Sequence, residues 1–469
     1  LAKYIELAEQ IKSQIQSNVW EIGDKLPSLR KQTELSGLSL MTVMNAYQLL
    51  ANQGWVVSHS RSGYVVAPQV EDFPILSHQN DPQITESVDI NDFVFDILQA
   101  SRKKTMTNFG FAYPDPNLYP QNQINKSLIQ AARKMPASHA LDNLPPGNET
   151  LRKIIAKRYA AQGMNINPEE IVITAGALEA LNLSLQAVTQ AGDCVVVESP
   201  TFYSALQSLE RLNLRALSIN THPKEGIDLD SLEKTLKTHK VKACWLMTNC
   251  QNPLGFTLSD EKKIRLVELL TKHNVHLIED DVYSELYYGG TKPRPAKAYD
   301  NKGMVLHCSS FSKSLVAGFR IGWVAAGTRA LQIQKIQLMS TLSTSAPVQL
   351  TLANYLSTRH YETHLRQLRR TLEQRKFQTW QLLRDHFPKE ANAYYSTGGY
   401  FIWVVLPEHV NATELYRLAL QENISIAPGE MFATNQLFIH CFRMNASLDI
   451  SDSVVLAIKR LGSLIETLI

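Results

Sequence analysis

Short apolar runs alternating with amphipathic stretches fill the chain from about Asn108 onward, and no other feature restricts the fold as tightly. Ile171–Thr174, Cys194–Glu198, Ala243–Thr248, Val275–Glu279 and Met304–Ser309 each read as a buried strand. Strands that have lost polar/apolar alternation are buried on both faces, and helical stretches between them force parallel crossovers. The expected class is α/β, with a mostly parallel sheet covered by helices. After about Ser343 the pattern turns helical, then strand-like again at Gly399–Leu406 and Leu437–Cys441. A smaller C-terminal α+β lobe accounts for that change.

The first 68 residues follow a different rule. Tyr4, Ala8, Ile11, Ile15 and Val19 recur at helical spacing. Gly23–Asp24–Lys25 and Pro27 end that stretch, and Ser28 stands where an N-cap belongs before a short helix from Leu29 to Leu35. Ser36–Gly37 breaks it, and Ser39 opens a third helix carrying Val43, Ala46, Tyr47 and Leu50. Trp55–Val57 and Tyr64–Val66 flank a polar turn, as two strands of a hairpin do. Three helices and a hairpin in so short a span make a winged-helix layout. From Pro68 to Asp92 the residues are mainly Pro, Gln, Asn, Asp and Ser without periodicity, as in an extended linker.

Charge adds little. The whole chain of 469 residues carries a formal net charge of +3. The N-terminal unit holds six Lys/Arg (Lys3, Lys12, Lys25, Arg30, Lys31, Arg61) against five Asp/Glu, a weak footprint for a DNA-binding module. The five cysteines include no C-x-x-C pair, which fits buried thiols in a reducing cytoplasm. No stretch approaches the length of a membrane-spanning helix, so no membrane partner is expected. The run from Arg359 to Lys376 is strongly basic, with Arg366, Arg369 and Arg370 clustered. A solvated helix face explains it, and a second contact to DNA phosphates is the alternative.

The segment SSFSKSLVAGFRIGW, Ser309 to Trp323, concentrates the chemistry. Lys313, flanked by the hydroxyls of Ser310 and Ser312 and followed by Arg320, suits a phosphorylated aldehyde. The amine forms an imine, while hydroxyls and a guanidinium hold the dianion. Gly176 and Ala177 follow a strand and open a helix, where bare N–H groups bind phosphate. Asp280 at a strand end could face a pyridine nitrogen and keep it protonated, which makes the ring an electron sink. Tyr283 and Asn252 could donate to a ring oxygen, and Phe202 could either stack on the ring or be plain core.

From Asn108 to the C-terminus the chain resembles the class I/II aminotransferases of fold type I, with these segments in order and at similar spacing. The resemblance implies pyridoxal 5′-phosphate held as an aldimine on Lys313, with Asp280 at the pyridine nitrogen. It further implies Asn252 and Tyr283 at the ring oxygen, and Gly176, Ala177, Ser310, Ser312 and Arg320 around the phosphate. Arg443 falls where that family clamps a substrate carboxylate. One position departs: Asp142 stands where the family has a tyrosine that reaches phosphate across a dimer interface. A carboxylate there would repel phosphate, so it either turns away or the cofactor is held less tightly.

The segment from Gly23 to Ala67 resembles the winged helix-turn-helix of GntR-type regulators, through Pro27, Ser28, Arg30, Ser39, Thr42, Val43, Ala46, Tyr47, Gly54 and Gly63. By that likeness Arg30, Ser39 and Thr42 touch phosphates or base edges, with Arg61 and Gly63 at the wing tip. Leu40 and Met44 occupy positions that often carry arginine, which shifts base reading toward thymine methyls and Asn45. The combined arrangement is similar to the MocR regulators: 1–68 for DNA, 69–107 as linker, and 108–469 as the cofactor domain. It implies a cytoplasmic, homodimeric transcription factor that binds double-stranded operator DNA and senses an amine, an amino acid or the cofactor itself. A working aminotransferase is the alternative.

Overall fold

The computed structural model describes residues 2–59, 63–68, 90–100, 102–103, 105–137, 143–434 and 436–469. Its N-terminal unit is the expected three helices and hairpin. Helix Lys3–Gln16 buries Leu7, Ala8, Ile11 and Ile15. It ends sooner than the apolar spacing suggests: Asn18 takes a positive φ, and Val19 lies 64% exposed beyond it. Ser28 caps helix Leu29–Ser36 by accepting from Lys31 N, and Gly37 in the left-handed region stops it. Ser39 caps helix Leu40–Asn52 in the same way through Thr42 N. Strands Val56–His59 and Gly63–Val66 pair antiparallel.

Val43, Ala46, Tyr47 and Leu50 form the buried face of helix Leu40–Asn52. Tyr47 donates its hydroxyl to Pro27 O at 2.9 Å, which ties that helix to the turn before the preceding one. Tyr47→Phe should therefore cost about 1 kcal/mol, raising the opening equilibrium of this unit roughly fivefold. Amide hydrogen exchange across helix Leu40–Asn52 measures it; unchanged exchange would mean that this hydrogen bond carries no net weight.

The large sheet has eight strands. Their order is Ile171–Thr174, Gly322–Ala325, Val305–Ser310, His276–Asp280, Val241–Leu246, Cys194–Ser199, Arg215–His222 and Gly226–Ile227. The run from Val305–Ser310 to Arg215–His222 is parallel throughout, and Gly322–Ala325 is antiparallel to both neighbours. The smaller lobe is an antiparallel sheet of Asn392–Tyr394, Phe401–Val405, Cys441–Asn445 and Ala427–Pro428. The strand expected at Leu437–Cys441 thus lies further on, because Gln436–Phe438 forms a short 3-10 turn instead.

Within the linker expected over 69–107, residues 91–100 and Thr107 are ordered into elements instead. Helix Asn91–Ala100 buries Val94 and Ile97 against the large-domain core, and Glu210 accepts from the N–H groups of Ile90 and Asn91. Thr107–Asn108 then pairs in parallel with Ile424–Ser425. A ten-residue amphipathic helix gives little signal after a long polar run, and only its packing partner stabilises it. Among the described residues no helix is long and apolar enough to cross a membrane.

Candidate functional site

The site lies where the parallel strands end at their C-terminal edges, the usual position for ligands in open α/β sheets. Strand Val305–Ser310 delivers Lys313 just past its end, and His276–Asp280 ends on Asp280. Lys313 is 9% exposed, and its Nζ donates to Ala112 O at 2.6 Å. It also sits 3.7 Å from the centre of the Tyr113 ring and 5.6 Å from that of Tyr283. Burial, with the guanidinium charges of Arg443 and Arg320 nearby, brings its ammonium down to about 7.

Asp280 is buried, and its carboxyl is pushed up to about 7, first by desolvation and then by the neighbouring Asp281. Among the described residues its Oδ1 has no hydrogen-bond partner. Asn252 Nδ2 donates to Tyr283 Oη at 3.3 Å, so the two residues expected at the ring oxygen meet. Phe202 starts helix Tyr203–Arg211 and packs against the apolar cluster that holds Tyr283, Tyr400 and Phe401.

Gly176 precedes helix Ala177–Val188 with φ +83. A Cβ there would lie 2.5 Å from the Arg320 guanidinium, so only glycine leaves this space open. Arg320 Nη1 reaches Ser312 Oγ at 3.4 Å and Tyr113 Oη at 3.2 Å, and Ser310 Oγ accepts from Ser312 N. The four expected phosphate groups Gly176, Ser310, Ser312 and Arg320 are thus gathered around one corner, with Ala177 opening the helix beside them.

Arg443 is fully buried on strand Cys441–Asn445, not after a strand as the sequence pattern suggests. Its Nη1 donates to Asn252 Oδ1 and Nη2 to Gly110 O, both at 2.7 Å. Tyrosines and no carboxylate surround its charge among the described residues, and Nε has no partner there. A buried guanidinium held only by neutral acceptors is an unmet demand for an anion.

Three groups escaped the sequence reading. Tyr113 lies beside Lys313 and Arg320; Tyr119 donates to Ser312 O at 2.7 Å; Glu198 is a buried carboxyl pushed up to about 8 by desolvation. The run FAYPDPNLYP, too rich in proline for helix or strand, was the available signal for both tyrosines. Glu198 ends an apolar strand, and only its surroundings reveal that it is enclosed.

The residues present fit pyridoxal 5′-phosphate on chain-internal grounds: an orphaned buried carboxylate oxygen, an open glycine cradle under a guanidinium, and a buried amine. If so, cofactor-free protein should capture the aldehyde at a rate that climbs about tenfold per pH unit up to about 7 and then levels. The sign follows from the neutral amine being the nucleophile and being formed as pH rises through the lowered pKa. Stopped-flow absorbance across that range measures it; a climb continuing toward the ordinary lysine value near ~10.4 would overturn the assignment.

At the N-terminal unit, Arg30, Ser39 and Asn45 are exposed, and Ser39 Oγ lies 2.8 Å from Thr42 Oγ1. Gly63 turns with φ +92 at the start of the second strand. Arg61 and Asp142 lie outside the described residues. Leu40 and Met41 are exposed at 51% and 61%.

Comparison with known proteins matches two families in separate parts of the chain. The bacterial regulatory gntR family matches residues 3–66, and the class I and II aminotransferase family matches residues 115–457. The HTH-type transcriptional regulator YdcR of Escherichia coli K12 is 56% identical over 99% of each chain. NorG, an HTH-type transcriptional regulator of Staphylococcus aureus, is 25% identical over 88% of this chain and 93% of its own. The kynurenine aminotransferase of Pyrococcus horikoshii superposes with a TM-score of 0.74 at 27% identity, covering 80% of this chain and 94% of its own.

Proposed function

Because the chain belongs to the MocR-type GntR transcriptional regulators, a winged helix-turn-helix joined to a class I and II aminotransferase domain, we propose that it holds pyridoxal 5′-phosphate at Lys313 and senses a small carboxylate-bearing amine there. DNA binding through the N-terminal unit is the regulator's output. The observation that carries the sensing role is that Asp280 and Arg443 both stand close enough to Lys313 to act on its charge: an amine site, a ring-nitrogen partner and an anion site without a counter-ion.

When bound, the cofactor supplies an aldehyde that amines capture and a ring that withdraws electrons. Asp280 Oδ1 would accept a hydrogen bond from a protonated ring nitrogen, and that cation facing it would draw its pKa back down. Arg320, Ser310, Ser312 and the Gly176 turn would orient the phosphate. Arg443 would exchange its neutral acceptors for an effector carboxylate, a stronger, charge-assisted pair. Asn252 bonds both Arg443 and Tyr283, so anion binding at one end bears on the ring-oxygen end. A homodimer in the cytoplasm, bivalent on paired half-sites, completes this reading.

Titrating cofactor-loaded protein with amino acids, and with the matching amines lacking a carboxylate, tests it. A change in cofactor absorbance is expected with amino acids at much lower concentration than with the decarboxylated amines. Equal response to both would remove Arg443 from recognition. The complete residue set Lys313, Asp280, Tyr283, Asn252 and Arg443 also suits an active aminotransferase. Added oxo-acid separates the two readings: repeated turnover means an enzyme, a single absorbance change means a sensor.

A further inference from the structure

The helix expected to read DNA, Leu40–Asn52, buries Val43, Ala46, Tyr47 and Leu50, so its free side is Met41, Asn45, Gln48 and Asn52. The aminotransferase-like domain touches that same side. Gly290 N donates to Asn52 Oδ1 at 2.8 Å. A Cβ on Gly289 would lie 2.6 Å from Asn52 Oδ1, and one on Gly290 would lie 2.8 Å from Gln48 Nε2. Beyond the helix, a Cβ on Gly54 would lie 2.5 Å from Thr397 Cγ2. A Cβ at Gly54 or Gly289 would displace Thr397 or Asn52, and one at Gly290 would displace the Gln48 amide.

Both contact points belong to segments that also build the cofactor site. Asp280 and Tyr283 open the segment that ends at Gly289–Gly290. Between them, Leu286 O accepts from Gly399 N at 2.9 Å, Tyr287 bridges Gly398, and Tyr288 Oη donates to Gly399 O. The turn carrying Thr397 is clamped in turn. Lys376, fully buried on helix His360–His386, donates to Ser396 O at 2.8 Å, Ser396 Oγ at 2.6 Å and Gly398 O at 2.8 Å. From the other side comes the Asn252 loop: a Cβ on Gly398 would lie 2.6 Å from Cys250 Sγ, and one on Gly255 would strike Ser396 Oγ. Packed segments of this kind shift between discrete arrangements and do not deform smoothly.

We propose that Gly289–Gly290 and Thr397 dock the DNA-reading helix in a position that competes with DNA, and that occupancy of the Lys313 site sets the docked fraction. This rests on the regulator reading above. The major groove is about 8.5 Å deep, whereas Gln48 follows Asn45 by less than one helical turn of about 5.4 Å. Seating Asn45 on a base edge therefore brings the groove walls level with Gln48, where Gly290 already sits. Docking and DNA binding exclude one another, so DNA affinity falls in proportion to the docked fraction.

Two variants wedge the contact without touching cofactor or DNA groups. Gly290 has φ outside the left-handed region, so Gly290→Val strains only the face toward Gln48. Thr397→Gln lengthens the side chain against Gly54. Full-length wild type and both variants are compared, with and without pyridoxal 5′-phosphate, by amide exchange over residues 40–54. Their affinity for a labelled duplex of the DNA upstream of the chain's own gene is measured by anisotropy. Both variants should speed exchange at residues 48–54, abolish its response to the cofactor, keep the near-visible cofactor absorbance, and bind the duplex roughly 3- to 10-fold more tightly when cofactor-free. Unchanged exchange in both variants overturns the dock, as does equal or weaker duplex binding by variants that bind at all. Altered exchange with no duplex binding by any form supports the dock and refutes the regulator reading.

Discussion

Lys313→Ala should abolish the near-visible absorbance of protein prepared with pyridoxal 5′-phosphate, and with it any adduct that borohydride fixes. No other described lysine combines a buried amine with the phosphate corner of Gly176, Ser310, Ser312 and Arg320. Lys376 is as buried, but three oxygen acceptors around Ser396 and Gly398 occupy its amine. Lys263 is likewise held by Asn249 Oδ1 and Arg294 O. Absorbance and mass spectrometry after reduction measure the loss. An adduct that persists at a different lysine would refute the assignment, whereas weak residual absorbance without an adduct would show binding by the cradle alone.

Arg30→Ala combined with Thr42→Ala should weaken operator binding by about 10- to 100-fold while leaving that absorbance intact. Arg30 is exposed at the start of helix Leu29–Ser36, with no ion pair of its own among the described residues, so its removal disturbs no packing. Thr42 bonds Ser39, the cap of the reading helix, through both its backbone N–H and its hydroxyl, and the substitution keeps the backbone bond that makes the cap while removing only the hydroxyl pair. Each phosphate contact removed should also lower the salt slope by about one unit. The isolated N-terminal fragment should bind far less tightly than the full chain, since a homodimer gains from two modules on paired half-sites. Gel shifts of fragment, full chain and variant across a salt series decide it. Equal affinity of fragment and full chain would refute the bivalent arrangement.

The sequence by itself announced the parallel strands and the N-terminal helices, and it marked the residues expected at a cofactor site. Apolar runs with no alternation announced the parallel strands, because a strand buried on both faces has no polar side. Ser28 and Ser39 announced two helix starts, because a hydroxyl at that point satisfies an otherwise unpaired N–H. Lys313 with its flanking hydroxyls was legible as a candidate site because Ser310, Ser312, Lys313 and Arg320 are close along the chain. What lay beyond a local window was decided by tertiary structure alone. Helix Asn91–Ala100 owes its stability to a core it does not itself contain, so a polar neighbourhood hid it. The charge of Arg443 is uncompensated only because Asn252 and Gly110 converge on it from distant segments. The same holds for the contact of Asn52 with Gly290, which joins positions far apart in sequence. Periodicity and capping are written into neighbouring residues, whereas burial, unpaired polar atoms and the meeting of two domains arise only when separated segments share one space.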